Sequence, residues 1–496
     1  MSFAPRSATV SGPITIAAWI GLAVLAIPAS RVSMVAFAGA VLALVALSAL
    51  AAVAWPRAVL LVVALSPILD RYLLPGLLTP EAEPLAHFTS EALLVAVGSV
   101  LAFQAWRRGT LRAALVHPTV GLALGFVLLS LASAVLNGVP AVQAVAGIGF
   151  TLDAVGLFVL ARIVGFTPLQ ARLAIGWVIA LALLAALVIT AQALLSPHLL
   201  GLSAIQGRYG ELYRLAAFFG DPNTLAAFLS AAIPFALFGA TGLSSTRGRR
   251  LALAGAALLL LALWLSFSRG GWLGAVGGFA LAALVLDRRA LRLGLVVMVV
   301  TLAAAMFMPR NLLCDTCKER PDLLGSTFGR FDTIGEGRDL RTLFALNALP
   351  IIGDHPVLGV GPGRYGGAAA DIFGTPVYAR YGTDELFVNP SQRTVDDFWL
   401  HLLVESGVVG LVVFGGMIGA MLQPMLRSAR TASGPRRMML AGGVGAIAAL
   451  TINSLTTMLL EANSMAFLFW LLLGIGSGLA VLPDLGGDGG QDLPAG

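Results

Sequence analysis

The residues best suited to chemistry lie in the stretch TVDDFWLHLLVESGVVGLVVF, which begins polar and then becomes apolar. Side chains four residues apart share one face of a helix, so a helix through this stretch would align Asp397, His401 and Glu405. Such a helix would begin near Val395 and would hold Asp396 and Asp397 in its first turn. The free amides and the positive dipole end of a helix favour ionised carboxylates. The pattern therefore predicts two carboxylates that can accept a proton where the chain enters an apolar span.

The same acidic pair also fits a purely structural role at the start of that helix. Thr394 is followed three residues later by Asp397, which matches the pattern of a capping box. In this interpretation the pair stabilises the helix N-terminus and takes no part in a reaction. The spacing alone leaves both interpretations open.

Composition identifies the class of protein. Hydrophobic residues make up 58% of the 496 residues, charged residues make up 11%, and the mean hydropathy is +0.91. Soluble globular chains carry roughly a quarter charged residues, and a run of about 20 apolar residues can span a bilayer. Candidate spans are residues 13–28, 32–54, 57–70, 89–106, 118–136, 141–164, 170–195, 222–242, 250–267, 271–287, 290–308, 396–423, 438–459 and 464–482. We expect an all-α polytopic membrane helix bundle of twelve to fourteen transmembrane helices. It would form a single domain over residues 1–496 and end in a disordered tail at 483–496.

Arginine clusters predict how the chain crosses the membrane. They fall on every second connection between spans, at residues 107–112, 162–172, 247–250, 288–292 and 427–437. Cytoplasmic connections are enriched in Lys and Arg, so both termini are expected in the cytoplasm and the long loop 309–395 outside the plasma membrane. The net charge of +6 is then explained by contact with membrane lipids, and no nucleic-acid partner is needed.

Several arginines fall on the predicted external side, against this rule. Arg208 and Arg214 lie just outside a span in QGRYGELYRLAAFFGDPNTLAAF, where the chain breaks at residues 220–223, ending in Asn223, before a new span begins. Arg269 lies in the short turn FSRGGWLG. The planar guanidinium fork suits phosphate oxygens, so these residues are candidates to hold an anionic ligand. The alternative is that each arginine extends toward external lipid headgroups.

The two cysteines, Cys314 and Cys317, form a CxxC motif within the long loop. Two thiols are too few for a structural zinc site. In an oxidising compartment we expect them to form a small local disulfide with a structural role, and redox chemistry is the alternative. The sequence also has no P-loop, HExxH or GxSxG motif, and no GxGxxG after a strand. A soluble cofactor enzyme is therefore not expected, and no cofactor is predicted.

Four motifs together resemble the O-antigen ligase and polymerase superfamily, over about residues 205–416. They are RLAAFFGDPNTLAAF, FSRGGWLG, the HPVLGVGPGRY run that follows Arg341, and DDFWLHLLVESGVVGL. The resemblance implies inverting glycosyl transfer, without a metal, from a polyprenyl-diphosphate-linked glycan to a hydroxyl group of a glycan or lipid acceptor. It implies that Arg214 and Arg269 hold the diphosphate, with Arg208 and Arg341 as further candidates. Glu405 and Asn223 would have structural roles.

The sequence departs from the ligase pattern at one point. Ligases of the superfamily usually have a His-Asn pair nine and eight residues before the glutamate, where this chain has Asp396 and Asp397. A carboxylate can replace imidazole as the acceptor of the hydroxyl proton. We therefore expect Asp396 to be the base, Asp397 to be the next candidate, and His401 to orient whichever carboxylate acts. Asp397, Phe398 and Glu405 also resemble the arrangement in SEDS peptidoglycan polymerases, which leaves polymerase and ligase both open.

A transporter or flippase for a lipid-linked saccharide is the alternative function. Many transporters contain related halves and broken helices near the membrane midplane. We see no internal repeat in this sequence. An 87-residue loop between long spans is better explained as a segment that covers a catalytic site.

Overall fold

The computed structural model describes residues 34–68, 89–199, 202, 204–206, 213–305, 340–387, 394–461 and 463–482. The predicted span 13–28, Arg208, Cys314, Cys317 and the predicted tail 483–496 lie outside the described residues. The predictions for them stay predictions.

Helices make up most of the described chain. The first half contains α1 (Met34–Ala54), α2 (Pro56–Ile68), α3 (Thr89–Arg107), α4 (Leu111–Leu115), α5 (Pro118–Leu136), α6 (Ala141–Leu152), α7 (Val155–Val164), α8 (Pro168–Leu195), α9 (Pro222–Gly242) and α10 (Thr246–Leu265). The second half contains α11 (Arg269–Leu286), α12 (Arg288–Ala305), α13 (Leu340–Asp354), α14 (Ala368–Phe373), α15 (Pro376–Tyr381), α16 (Asp384–Phe387), α17 (Phe398–Thr431), α18 (Gly434–Asn453) and α19 (Asn463–Ala480). Two short antiparallel strands, β1 (Ala204–Gln206) and β2 (Tyr213–Leu215), pair between α8 and α9.

The predicted all-α membrane fold is confirmed. Seven described helices are long and apolar enough to cross a membrane, namely α3, α5, α8, α9, α10, α11 and α17. The pair α6 and α7 is bent by 51° and would make an eighth span. Helices α12 and α18 fall on predicted spans, but α12 has three arginines in its first two turns and α18 has two. Length and composition of the described helices therefore support fewer spans than the predicted twelve to fourteen.

Small residues let three central helices, α9, α11 and α18, pack closely. A Cβ atom at Gly278 of α11 would overlap the backbone of Ala449 in α18, and one at Gly274 would lie 2.6 Å from the Ala449 carbonyl oxygen. Helices in membranes associate through such small residues because lipid provides no hydrophobic force between them. This packing joins the N-termini of α9 and α11 to the end of α18.

The described part of the long loop is folded rather than irregular. Helices α13 to α16 surround a second, smaller apolar core. Its buried members are Phe344, Ala348, Ile351, Val360, Tyr365, Val377, Phe387, Val395 and Val404. Because the last two belong to the segment entering α17 and to α17 itself, this core attaches the loop to the membrane helices.

Candidate functional site

The segment PVLGVGPGRYGG, residues 356–367, is here named the glycine-rich loop, and it inserts into a break in α17. The break is at Gly407, whose φ of 65° and ψ of −174° are not helical. A side chain there would overlap the backbone of Val357. Glycine is required because it reaches positive φ without strain and leaves room for the approaching chain.

Backbone hydrogen bonds across this break replace those that α17 has lost. The N–H groups of Val360 and Gly361 donate to the carbonyl oxygens of Val404 (2.9 Å) and Glu405 (3.0 Å). In return, Val408 N–H donates to Pro356 O at 2.9 Å. Buried backbone groups need such partners, so the loop and the broken helix stabilise one another.

A buried ionisable cluster lies directly beneath the glycine-rich loop. Glu405 accepts hydrogen bonds from the N–H groups of Gly363 (2.8 Å to Oε2) and Tyr365 (2.7 Å to Oε1). His401 Nδ1 is 2.5 Å from the carbonyl oxygen of Tyr365. His401 Nε2 lies 3.2 Å from Glu461 Oε2 and 3.8 Å from Glu405 Oε2. His401 and Glu405 thus lie on one face of α17, as the sequence spacing predicted.

Asp397 is the N-cap of α17. Its Oδ1 accepts hydrogen bonds from the N–H groups of Trp399 (3.0 Å) and Leu400 (3.1 Å). The helix begins at Phe398 and not near Val395, because Val395 N–H donates to Gly366 O of the glycine-rich loop at 2.9 Å. The predicted capping box, which pairs Thr394 with Asp397 three residues later, is therefore wrong. Asp397 is itself the N-cap, so an acidic cap is present three residues further along the chain. Asp396 lies before the helix and not in its first turn.

Asp396 pairs with Arg341 and lies near Arg214. Its Oδ2 lies 3.4 Å from Arg341 Nη2, and 54% of its side chain is accessible to solvent. Although half of the side chain is accessible, partial burial raises the pKa of Asp396, while the charge of Arg341 lowers it. Asp221 raises this pKa and Arg214 lowers it, so both lie within electrostatic range of Asp396. Burial also raises the pKa of Asp397. The helix N-terminus alone would lower the pKa of both carboxylates, so the raised values are opposite to the sequence-based expectation.

Asn223 connects the segments that carry Arg214 and Arg269. Arg214 Nη2 donates to Asn223 Oδ1 at 2.7 Å, and Ser268 Oγ donates to the same oxygen at 2.9 Å. Arg214 Nε also donates to Ser266 O at 3.4 Å. Because Ser268 caps α11 and Arg269 is its first residue, the segments carrying these two predicted arginines meet at one end of the bundle.

His401 does not take the predicted role of orienting Asp396 or Asp397 through its ring. Its ring nitrogens face Tyr365 and Glu461, and the ring influences Asp397 only through its charge. The reason is geometric: the ring of His401 points beneath the glycine-rich loop, whereas the Asp397 carboxylate turns toward the amides that it caps.

Glu461 is the site residue that the sequence analysis missed. It lies in the turn between α18 and α19, and its side chain is buried with 6% exposure. The available signal was a lone carboxylate between two apolar spans in TMLLEANSM, since an ionisable group at a membrane boundary is costly. Across the described ranges, no group of three His, Cys, Asp or Glu side chains is suited to hold a metal ion.

Comparison with protein families gives a match that covers most of this site. Residues 254–415 match the O-antigen ligase family, a range that includes Arg269, Asp396 and Glu405 but not Arg214 or Glu461. A comparison with curated proteins gives no significant match. The matched range lies within the segment 205–416 that carries the four motifs. Together with the all-α membrane bundle around it, this match supports membership of the O-antigen ligase superfamily.

Proposed function

We propose that the protein is a membrane glycosyltransferase that polymerises or ligates polyprenyl-diphosphate-linked glycans. The observation that carries the proposal is the pairing of Asp396 with Arg341 inside the range that matches the O-antigen ligase family, within electrostatic range of Arg214. A proton acceptor beside guanidinium groups suits attack by a hydroxyl group on a sugar with an anionic leaving group. The family match gives the transporter alternative no support.

In the proposed reaction, the acceptor hydroxyl oxygen attacks the anomeric carbon of the donor sugar as Asp396 takes the hydroxyl proton. The bond between the anomeric carbon and the diphosphate oxygen breaks on the opposite side, which inverts the configuration. The electron pair leaves with the polyprenyl diphosphate. Arg214 and Arg269, with Arg341, would stabilise the negative charge that develops on this group.

Mass spectrometry of lipid-linked and surface glycans from a deletion strain tests this function. Loss of a polymerase should leave single repeats on the lipid carrier, because units arrive but are not joined. Loss of a ligase should instead leave long chains on the carrier. Glycans that are unchanged in mass and amount in the deletion strain would contradict both forms of the proposal.

We propose that the site faces outward from the plasma membrane, with both termini in the cytoplasm, because the arginine clusters alternate between connections. A reporter fused after Pro390 should therefore give an external signal, and one fused after Ser433 a cytoplasmic signal. Paired alkaline phosphatase and fluorescent-protein fusions measure this directly. Reversed signals would place Asp396 in the wrong compartment for surface glycan synthesis.

The pH dependence of transfer should report the ionisation of Asp396. The base acts only when ionised, so the rate should rise with pH through the pKa of Asp396, which burial raises above its ordinary value. Because Arg341 lowers this pKa, Arg341→Gln should move the rise in rate to higher pH, whatever it does to the maximal rate. The measurement is sugar transfer in membrane vesicles from about pH 4 to about pH 8. An unmoved rise would show that Arg341 does not control the base.

A further inference from the structure

Glu461 connects the turn after α18 to the glycine-rich loop. Its Oε1 accepts a hydrogen bond at 2.7 Å from the N–H of Ala368, the first residue of α14, which directly follows that loop. Its Oε2 lies 3.2 Å from His401 Nε2 and has no other hydrogen-bond partner among the described residues. The side chains of His401 and Glu461 are 3% and 6% exposed, so water contributes little to either.

The geometry of His401 shows where a proton must lie. The Tyr365 carbonyl can only accept a hydrogen bond, so His401 Nδ1, at 2.5 Å, carries a hydrogen and donates it. Nε2 then faces Glu461 Oε2 and, further away, Glu405 Oε2. An unprotonated nitrogen facing two ionised carboxylates without water would be strongly unfavourable. One proton is therefore shared between Nε2 and the nearer carboxylate, Glu461.

Gly367 allows the glycine-rich loop to close directly over this pair. A Cβ atom at Gly367 would lie 2.6 Å from His401 Cε1 and 2.7 Å from Glu461 Oε1. Atoms of real side chains do not approach so closely, so any larger residue would push the loop away from the pair. The loop in turn holds Val395, next to Asp396, through the hydrogen bond from Val395 N–H to Gly366 O.

We propose that Glu461 is a positioning residue: through the proton that it shares with His401, it holds the glycine-rich loop closed and so fixes Asp396 for reaction. The inference rests on the proposed function for its activity readout. It assigns Glu461 a role that depends on its charge and not on its size or on its bond to Ala368. A displacement of about 1 Å from a reactive geometry can lower a rate about 100-fold, so the expected effect is large.

Two substitutions separate charge from shape. Glu461→Gln keeps the size of the side chain and an oxygen for Ala368 N–H, but cannot hold the shared proton. Glu461→Asp keeps the charge and is one methylene shorter. We expect Glu461→Gln to lower glycan product by about 100-fold and Glu461→Asp to retain more of it. A purely structural residue would give the reverse order, and that order, or normal product from Glu461→Gln, would overturn the inference.

Hydrogen exchange of purified protein gives a readout that does not need the glycan. Peptides covering residues 359–368 should exchange faster in Glu461→Gln than in the wild type, with Glu461→Asp between them, since the loop amides are protected while it is closed. The double variant His401→Gln with Glu461→Gln should lose no more protection than either single variant. Additive losses, or wild-type protection in Glu461→Gln, would overturn the pairing. Asp384→Asn is the control, because this exposed carboxylate lies in the same long loop.

Glycan product and hydrogen exchange distinguish a failure of the proposed function from a failure of the role assigned to Glu461. If a deletion strain shows unchanged glycans, the proposed function fails, and the order of exchange rates among the Glu461 variants still decides whether the charge pair closes the loop. If exchange follows the expected order but Glu461→Gln makes normal product in a strain that depends on the protein, the positioning role is overturned while glycosyl transfer stands.

Discussion

Asp396→Asn is expected to lower the rate of glycan formation roughly 100- to 10,000-fold, the usual cost of losing a general base. Asparagine has nearly the shape of aspartate but is a very poor proton acceptor. Asp396 makes no cap hydrogen bond to α17, and its carboxylate faces Arg341, so the substitution should leave the fold intact. The measurement is product per unit of membrane-inserted protein, with the thermal stability of each variant determined in parallel.

Asp397→Asn is the informative comparison. Asparagine can accept the same two N–H groups of Trp399 and Leu400, so only the interaction of the charge with the helix dipole is lost, typically about 0.3 to 1 kcal/mol. A large loss of activity in Asp397→Asn alone would make Asp397 the base. Full activity in both asparagine variants would mean that the acidic pair is only structural. Asp396→His should retain partial activity, because it restores the residue type that related ligases use.

The sequence predicted those parts of the site that depend on local periodicity. His401 and Glu405 share a face because four residues make about one helical turn, and α17 remains helical between them. The segments bearing Arg214 and Arg269 meet because Arg214 precedes α9, Arg269 begins α11, and both helices enter the bundle from the same side. These inferences need no knowledge of how distant segments pack.

What the sequence analysis missed depends on contacts between distant residues. The start of α17 is set by Val395 bonding to Gly366 and by Phe398 N–H bonding to Ser454 O at 2.9 Å. The pattern Thr394-x-x-Asp397 fits a helix that starts near Val395 as well as one that starts at Phe398. Glu461 contacts His401 although it lies after α18, sixty residues further along the chain. The break at Gly407 forms because the glycine-rich loop supplies the hydrogen bonds that the helix lacks there. Local propensity cannot indicate such long-range partners.

Arg214→Ala and Arg269→Ala are each expected to abolish detectable glycan product while the protein remains in the membrane. Lysine should restore little, because a guanidinium offers a planar fork to phosphate oxygens whereas an ammonium is a single point of charge. Arg214 also uses separate nitrogens for Asn223 Oδ1 and Ser266 O, which one ammonium cannot reproduce. Losing one hydrogen bond to a charged group costs about 1.5 to 3 kcal/mol, or roughly 10- to 100-fold in rate, even in the lysine variants.

Arg249→Ala supplies the matched control, since this exposed arginine lies in the first turn of α10, at the opposite end of the bundle from Arg269. It removes the same charge from α10, the helix that directly precedes α11, and should leave product unchanged. Product and membrane protein level are measured together for all variants. Normal product from Arg269→Ala would mean that this residue only contacts lipid headgroups, and the diphosphate would then have to be held by Arg214 and Arg341. If charge at this end of the bundle stabilises the leaving diphosphate, Arg214→Ala and Arg269→Ala must both lose glycan product while Arg249→Ala keeps it.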